Sequence, residues 1–267
     1  MPYDFISVTS SDEATTIVLT RPQVLNAIHP AMHLELQDAF DRFAADRAQR
    51  ICVLTGSGER AFCAGSDLKH AVDTGVQATD VAHAYPPSGY GGIARRFDLA
   101  KPVIAAVNGL ALGGGFEIAL ACDLIIAVDD AIFGLPEPLV GAVALAGGLH
   151  RLARQIGPKN ALGIILTGRR VTAQEGQALG FVNEVVPRAE LRDAVGRWVR
   201  DILRCSPIAI EASKEAVYRG LGERSVSAAI ERQHSYPHFV AWTESEDARE
   251  GPRAFASKRA PRWSRPN

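Results

Sequence analysis

The amino-acid sequence predicts an α/β domain. Three observations carry this: strands that are apolar along their whole length, helices with one apolar face between them, and glycine-rich loops directly after the strands. A strand without polar alternation is buried on both faces, the condition of a mainly parallel sheet covered by helices. In chain order, Thr15 to Thr20 is a β-branched run, Arg21 to Ala27 reads as a loop, and Pro30 suits the first turn of a helix. Met32, Leu36, Phe40 and Phe43 then fall on one helical face, opposite Glu35, Asp38 and Asp41. Ile51 to Thr55 and Val103 to Val107 are continuous apolar strands, and Leu124 to Val128 repeats the pattern after a short helix over about Gly115 to Cys122.

From His150 strand signals fade, apart from Phe181 to Val186. Helices are expected over Lys159 to Leu166, Ala173 to Leu179, Glu190 to Leu203, Ile208 to Tyr218, Val226 to Tyr236 and Glu244 to Ala256. The last third therefore reads as a helical layer. One irregular stretch, His70 to Leu99, is too long for a simple connector, and loops of that length are usually lids or binding loops.

With 47 % apolar and 22 % charged residues over 267 positions, the chain has the composition of a packed globular protein. Its 29 basic and 30 acidic residues leave a net charge of -1, so there is no basic field to hold a nucleic acid or an anionic membrane. Any anionic ligand must be met by local contacts. Cys52, Cys63, Cys122 and Cys205 show neither disulfide-framework nor metal-ligand spacing, and no secretory leader is visible, which together predict a cytoplasmic protein. Pro138 to Leu149, the longest run free of charge, is too short to span a membrane. His29 and His33 stand four apart without forming HExxH, so no metal is expected and both are read as surface histidines.

Chemistry is carried by two loops. Ala61-Phe62-Cys63-Ala64-Gly65-Ser66-Asp67-Leu68-Lys69 follows one strand, and Asn108-Gly109-Leu110-Ala111-Leu112-Gly113-Gly114-Gly115-Phe116-Glu117 follows the next and runs into a helix. Small residues at such turns let a ligand approach main-chain N–H groups, and two converging donors make an oxyanion hole. Neither loop is a Walker loop or GxGxxG, which excludes nucleotide hydrolysis and dinucleotide binding. Glu117 sits among Phe116, Ile118, Ala119 and Leu120, so its carboxylate should titrate high, and Glu137 stands between Pro136 and Pro138, again in apolar company with its backbone fixed by the prolines. Two carboxylates beside an oxyanion site suit proton chemistry next to a carbonyl. On these residues alone, turn-forming glycines and capping or paired glutamates explain the pattern equally well.

The loops resemble those of the enoyl-CoA hydratase/isomerase (crotonase) family. The similarity extends through Arg21-Pro22, Leu25-Asn26-Ala27, Lys101 to Gly109, Cys122-Asp123, Phe133-Gly134, Pro136-Glu137, Gly147-Gly148, Leu166-Thr167-Gly168 and Ala178 to Asn183, nearly the whole chain in order. The resemblance implies a crotonase-like ββα spiral core over residues 1–195, with a C-terminal α-helical trimerisation region over 196–267 belonging to the same fold. It implies homotrimers, in some members paired into hexamers, and an acyl-CoA thioester as ligand, coenzyme A being part of the substrate and not a cofactor. The Ser66 and Gly114 N–H groups would hold the thioester oxygen, and Glu117 and Glu137 would handle water and the C2 proton. Val24, Ala64, Ser66, Asp67, Leu68, Gly114 and Pro136 are the implied substrate contacts.

The expected activity is that of a hydro-lyase: reversible addition of water to a trans-2-enoyl-CoA, as in fatty-acid β-oxidation, giving the 3-hydroxyacyl-CoA. Alternatives are an enoyl-CoA isomerase, a specialised 3-hydroxyacyl-CoA dehydratase of the carnitinyl-CoA type, and a non-catalytic acyl-CoA- or RNA-binding relative. Ser66 stands where alanine is common, and Phe116, Ala144 and Leu145 also depart from frequent residues, on the acyl side. His83, Tyr85, Tyr90, Arg95 and Arg96 read equally as acyl-pocket residues or as a mobile surface loop. The basic end, Lys258, Arg259, Arg262 and Arg265, reads as a solvated tail.

Overall fold

The structure, a computed structural model, describes residues 3–75 and 85–264. Its larger sheet has the order β1-β2-β3-β5-β7-β10, formed by β1 (Ile6–Ser11), β2 (Ala14–Leu19), β3 (Ile51–Gly56), β5 (Val103–Val107), β7 (Leu124–Val128) and β10 (Glu184–Val186). Only the edge pair β1/β2 is antiparallel. The smaller sheet runs β4 (Ala61–Cys63), β6 (Leu110–Leu112), β8 (Ile132–Gly134) and β9 (Val171–Thr172). Each of the pairs β3/β4, β5/β6 and β7/β8 gives one strand to each sheet, and each is followed by a helix: α2 (Leu68–Thr74), α3 (Gly114–Ala121) or α4 (Gly148–Ile156). This is the expected ββα spiral.

The central strands lack polar alternation because both faces are covered. Cys52, Leu54, Val103, Ala105 and Val107 enter the main core, while Ile51, Val53, Ile104, Ala106 and Ile126 pack on Ala194 and Val195 of α7 (Leu191–Leu203). The 195/196 boundary falls inside that helix. After α5 (Pro158–Ile165) and α6 (Ala173–Leu179), the C-terminal layer comprises α7, α8 (Pro207–Gly220), α9 (Val226–Gln233), α10 (Pro237–Glu244) and α11 (Asp247–Ala256). Among the described residues no helix is long and apolar enough to cross a membrane.

Helix α1 (Pro30–Ala45) starts where Pro30 predicts and buries Met32, Leu36, Phe40 and Phe43. Its two histidines are not on the surface. His29 caps the helix, its Nδ1 accepting from the Met32 N–H at 3.2 Å, and His33 Nδ1 accepts from the Gly91 N–H at 3.0 Å. Burial holds the His33 imidazole down at about 4, so it stays neutral as an acceptor.

Two further expectations change. Within the stretch read as a lid, Ser88 to Ala94 are buried against α1 and α3, and a Cβ on Gly92 would lie 2.6 Å from the Leu36 carbonyl carbon. That part of the segment is core. The basic end is tied down as well: Arg259 pairs with Glu250, Trp263 Nε1 donates to the Arg204 carbonyl at 2.8 Å, and the Ser264 N–H donates to Asp247 at 2.7 Å. Lys258 and Arg262 are exposed, whereas His83 and Arg265 lie outside the described residues.

Candidate active site

The first loop leaves β4 at Cys63 and turns at Gly65, whose φ of +94° favours glycine. Backbone bonds then fix both neighbours of Ser66: the Gly65 carbonyl accepts from the Ile28 N–H at 2.8 Å, and the Asp67 N–H donates to the Ile28 carbonyl at 3.0 Å. An ion pair between Arg21 and Asp67 at 2.9 Å locks the loop to the Arg21-Pro22 turn. Among the described residues the Ser66 N–H has no acceptor.

The second loop leaves β6 and enters α3 through Gly113, whose own N–H donates to the Gly134 carbonyl at 2.9 Å. Gly114 is the first helical residue, and its N–H likewise has no acceptor among the described residues. The two loops touch backbone to backbone: a Cβ on Gly65 would lie 3.1 Å from the Gly114 nitrogen, and one on Gly115 only 2.0 Å from the Cys63 carbonyl oxygen. Two donors without acceptors, one at a helix N-terminus, thus lie where the two loops meet, and the helix dipole there also favours negative charge.

Glu117 is 3 % exposed, one turn into α3. Its Oε1 accepts from the Ala146 and Gly148 N–H groups, both at 2.8 Å. Arg151 braces that loop by donating to the Ala146 carbonyl at 3.2 Å and the Ala94 carbonyl at 2.7 Å. Burial, aided by the charge of Glu137, pushes the Glu117 carboxyl up to about 7 against the pull of the two N–H donors. Glu137 opens a 3-10 turn after Pro136 and lies over the second loop, its Oε1 being 3.1 Å from where a Cβ on Gly113 would stand. Its Oε2 is buried without a partner, and burial raises its pKa too. A cavity of about 140 Å³ opens beside it, walled by Leu135, Pro138, Ala142, Val143, Ala144 and Ile165 among others. A larger groove of about 890 Å³ between α7 and α8 contains none of these groups.

The structure therefore brings Ser66, Gly114, Glu117 and Glu137 together. Ala64 is committed elsewhere, its N–H donating to the Leu25 carbonyl at 3.0 Å, and Val24 and Leu68 are exposed beside the first loop. Tyr85 and Tyr90 prove to be part of the same neighbourhood. Tyr90 is 1 % exposed, and its hydroxyl accepts from Ser66 Oγ at 3.3 Å. Burial and the charges of Glu117 and Glu137 push the Tyr85 phenol up to about 12. No local pattern marks two tyrosines of an irregular segment as neighbours of a carboxylate pair; only tertiary packing does. Arg95 is exposed, and Arg96 pairs with Asp41 and Asp98, away from this group.

Comparison with known proteins identifies the family. The family model described as enoyl-CoA hydratase/isomerase matches residues 10–266. A carnitinyl-CoA dehydratase of Proteus mirabilis is 41 % identical over 263 residues, covering 97 % of both chains, and one of Salmonella typhi is 40 % identical over 260 residues. Among solved structures, an enoyl-CoA hydratase from Bacillus anthracis superposes with a TM-score of 0.88 at 35 % identity, covering 97 % of this chain and 99 % of its own. One from Mycobacterium marinum gives 0.87 at 37 % identity, covering 97 % and 98 %. Motifs, ββα spiral and comparisons agree: the chain belongs to the enoyl-CoA hydratase/isomerase family.

Proposed function

We propose that the protein is a hydro-lyase that reversibly adds water across the C2=C3 bond of a 2-enoyl-CoA. The observation that carries this reading is the pair of carboxyls, buried Glu117 and half-buried Glu137 with one unpartnered buried oxygen, beside two unused N–H donors. The donors receive the thioester oxygen, on which charge accumulates as the C2=C3 electron pair shifts. Losing one such donor typically costs about 10²- to 10³-fold in rate. Water oxygen bonds to C3 while one carboxylate takes the water proton. The other carboxyl gives a proton to C2, and the pair ends with one proton between them, as it began. Elimination runs the same path backwards. No metal or separate cofactor enters this scheme, so dialysis against a chelator is expected to leave the rate unchanged.

An isomerase needs one acid to relocate a proton. A hydro-lyase needs both, so Glu137→Gln is expected to abolish turnover too, whereas an isomerase would survive it. Dehydration of a carnitinyl-type 3-hydroxyacyl-CoA is the second reading, favoured by the names of the curated relatives. Crotonyl-CoA, longer enoyl-CoAs and crotonobetainyl-CoA assayed side by side would separate the two. No turnover on any of them would sink the hydro-lyase reading.

Because both carboxyls are shifted upward, the reactive form carries one proton shared by the pair. The expected kcat/KM profile is therefore bell-shaped. It falls on the alkaline side as the last proton leaves, near and above pH 7, and on the acid side as a second proton binds. A flat profile from pH 5 to 9 would contradict the assignment. Assembly of the 196–267 helices into a homotrimer belongs to the same proposal, and sedimentation of the full chain tests it.

A further inference from the structure

Ser66 enters the proposed reaction through its main-chain N–H, which any residue would supply, so its hydroxyl is left without a chemical role. Tyr90 has the complementary problem. Its phenol oxygen is buried, and a buried hydroxyl without a partner is costly. The two groups answer each other, Ser66 Oγ donating to the Tyr90 oxygen at 3.3 Å.

The same phenol end also presses on the second loop. A Cβ on Gly114 would lie 2.5 Å from the Tyr90 hydroxyl oxygen and 2.3 Å from Cζ, so glycine is what allows the ring to reach the Gly114 backbone. One side chain thus contacts both residues whose N–H groups face the thioester oxygen. The ring itself has little freedom. His33 and Tyr85 stand edge-on to it at centroid distances of 4.5 and 5.2 Å, the Gly91 N–H donates to His33, and Gly92 is packed on the backbone of α1.

We propose that Tyr90 is a positioning residue that sets the separation and aim of the Ser66 and Gly114 amides, with the Ser66 hydroxyl as its matched partner. The proposal rests on the reading of those amides as the thioester-oxygen site. It explains why serine stands at position 66 and why a tyrosine, not a phenylalanine, occupies position 90. Without the tyrosine the serine hydroxyl loses this acceptor; with alanine at 66 the buried phenol oxygen loses its donor.

The test uses the full chain and a conjugated 2,4-dienoyl-CoA, whose absorbance moves to the red when its carbonyl is polarised. The wild-type protein is expected to shift it on binding. Tyr90→Phe keeps the ring, and is expected to lose part of that shift and to lower kcat about three- to tenfold, the scale of one hydrogen bond, with KM within about twofold. Ser66→Ala is expected to do the same, and the double variant to be no worse than the worse single. Full retention of the shift and of kcat in Tyr90→Phe would overturn the proposal, as would losses that multiply in the double variant. Should Tyr90→Phe fail to fold, Ser66→Ala gives the same readout, and an unchanged shift there is equally fatal. A wild-type protein that binds the dienoyl-CoA without any shift would instead overturn the thioester-oxygen site, a failure distinct from that of the tyrosine.

Discussion

Glu117→Gln is expected to lower turnover of a 2-enoyl-CoA by about 10²- to 10⁴-fold, the usual worth of a general acid–base group, and at the same time to make the protein more stable above neutral pH. Glutamine keeps an oxygen to accept from the Ala146 and Gly148 N–H groups, so the loop they belong to stays in place. What changes is the charge. The folded carboxyl titrates at about 7 against an ordinary 4.5, so the folded state favours its protonated form. Its contribution to stability is fully present below pH 4.5 and is lost as pH rises through 7, where burial of the ionised group costs about 2–3 kcal/mol. The melting temperature of the variant should therefore pull ahead of wild type by roughly 5 °C or more between pH 5 and pH 8. A gap that stays constant over that range would mean that the Glu117 carboxylate is not desolvated in the folded protein.

Gly114→Ala is the second large effect. The new methyl would overlap the Tyr90 ring, and Tyr90 cannot retreat because it is fully buried against His33 and Tyr85. Overpacking of this kind costs about 1–3 kcal/mol, and on the proposed function any movement of the loop takes an N–H donor away from the thioester oxygen, about 10²- to 10³-fold in kcat. Gly163→Ala provides the contrast. It lies on an exposed face of α5 with nothing within 4 Å of the added carbon, so it should leave kcat alone and stabilise the helix by up to about 1 kcal/mol. Equal activity losses in the two variants would show that helical glycines in general, and not this contact, are at stake.

What the sequence makes legible follows from where the information is local. β5 and β7 are apolar from end to end, which is why their limits can be read directly from residues 103–107 and 124–128. β1 escapes because it is an edge strand whose residues after Ile6 are mostly exposed, and hydroxyl-bearing residues there resemble a loop. α4 begins on two glycines, a start that masks a helix until packing supplies the reason for it. The glycine loops and both glutamates are visible as a pattern. The buried His33, the Ser88–Ala94 floor and the tyrosine behind Ser66 are not, because each is defined by a partner at least 24 residues away.

The alternation of strands between two sheets sets a length scale for the chemistry. Ser66, Gly114 and Glu137 follow β4, β6 and β8, neighbours in the smaller sheet, so the site is one structural position sampled on three successive coils. Adjacent strands stand about 4.8 Å apart. Two N–H groups that close on a single oxygen from about 2.9 Å each, at a tetrahedral-like angle, need nearly that same separation between their nitrogens. The pitch of the spiral is thus commensurate with the oxyanion it is read as binding.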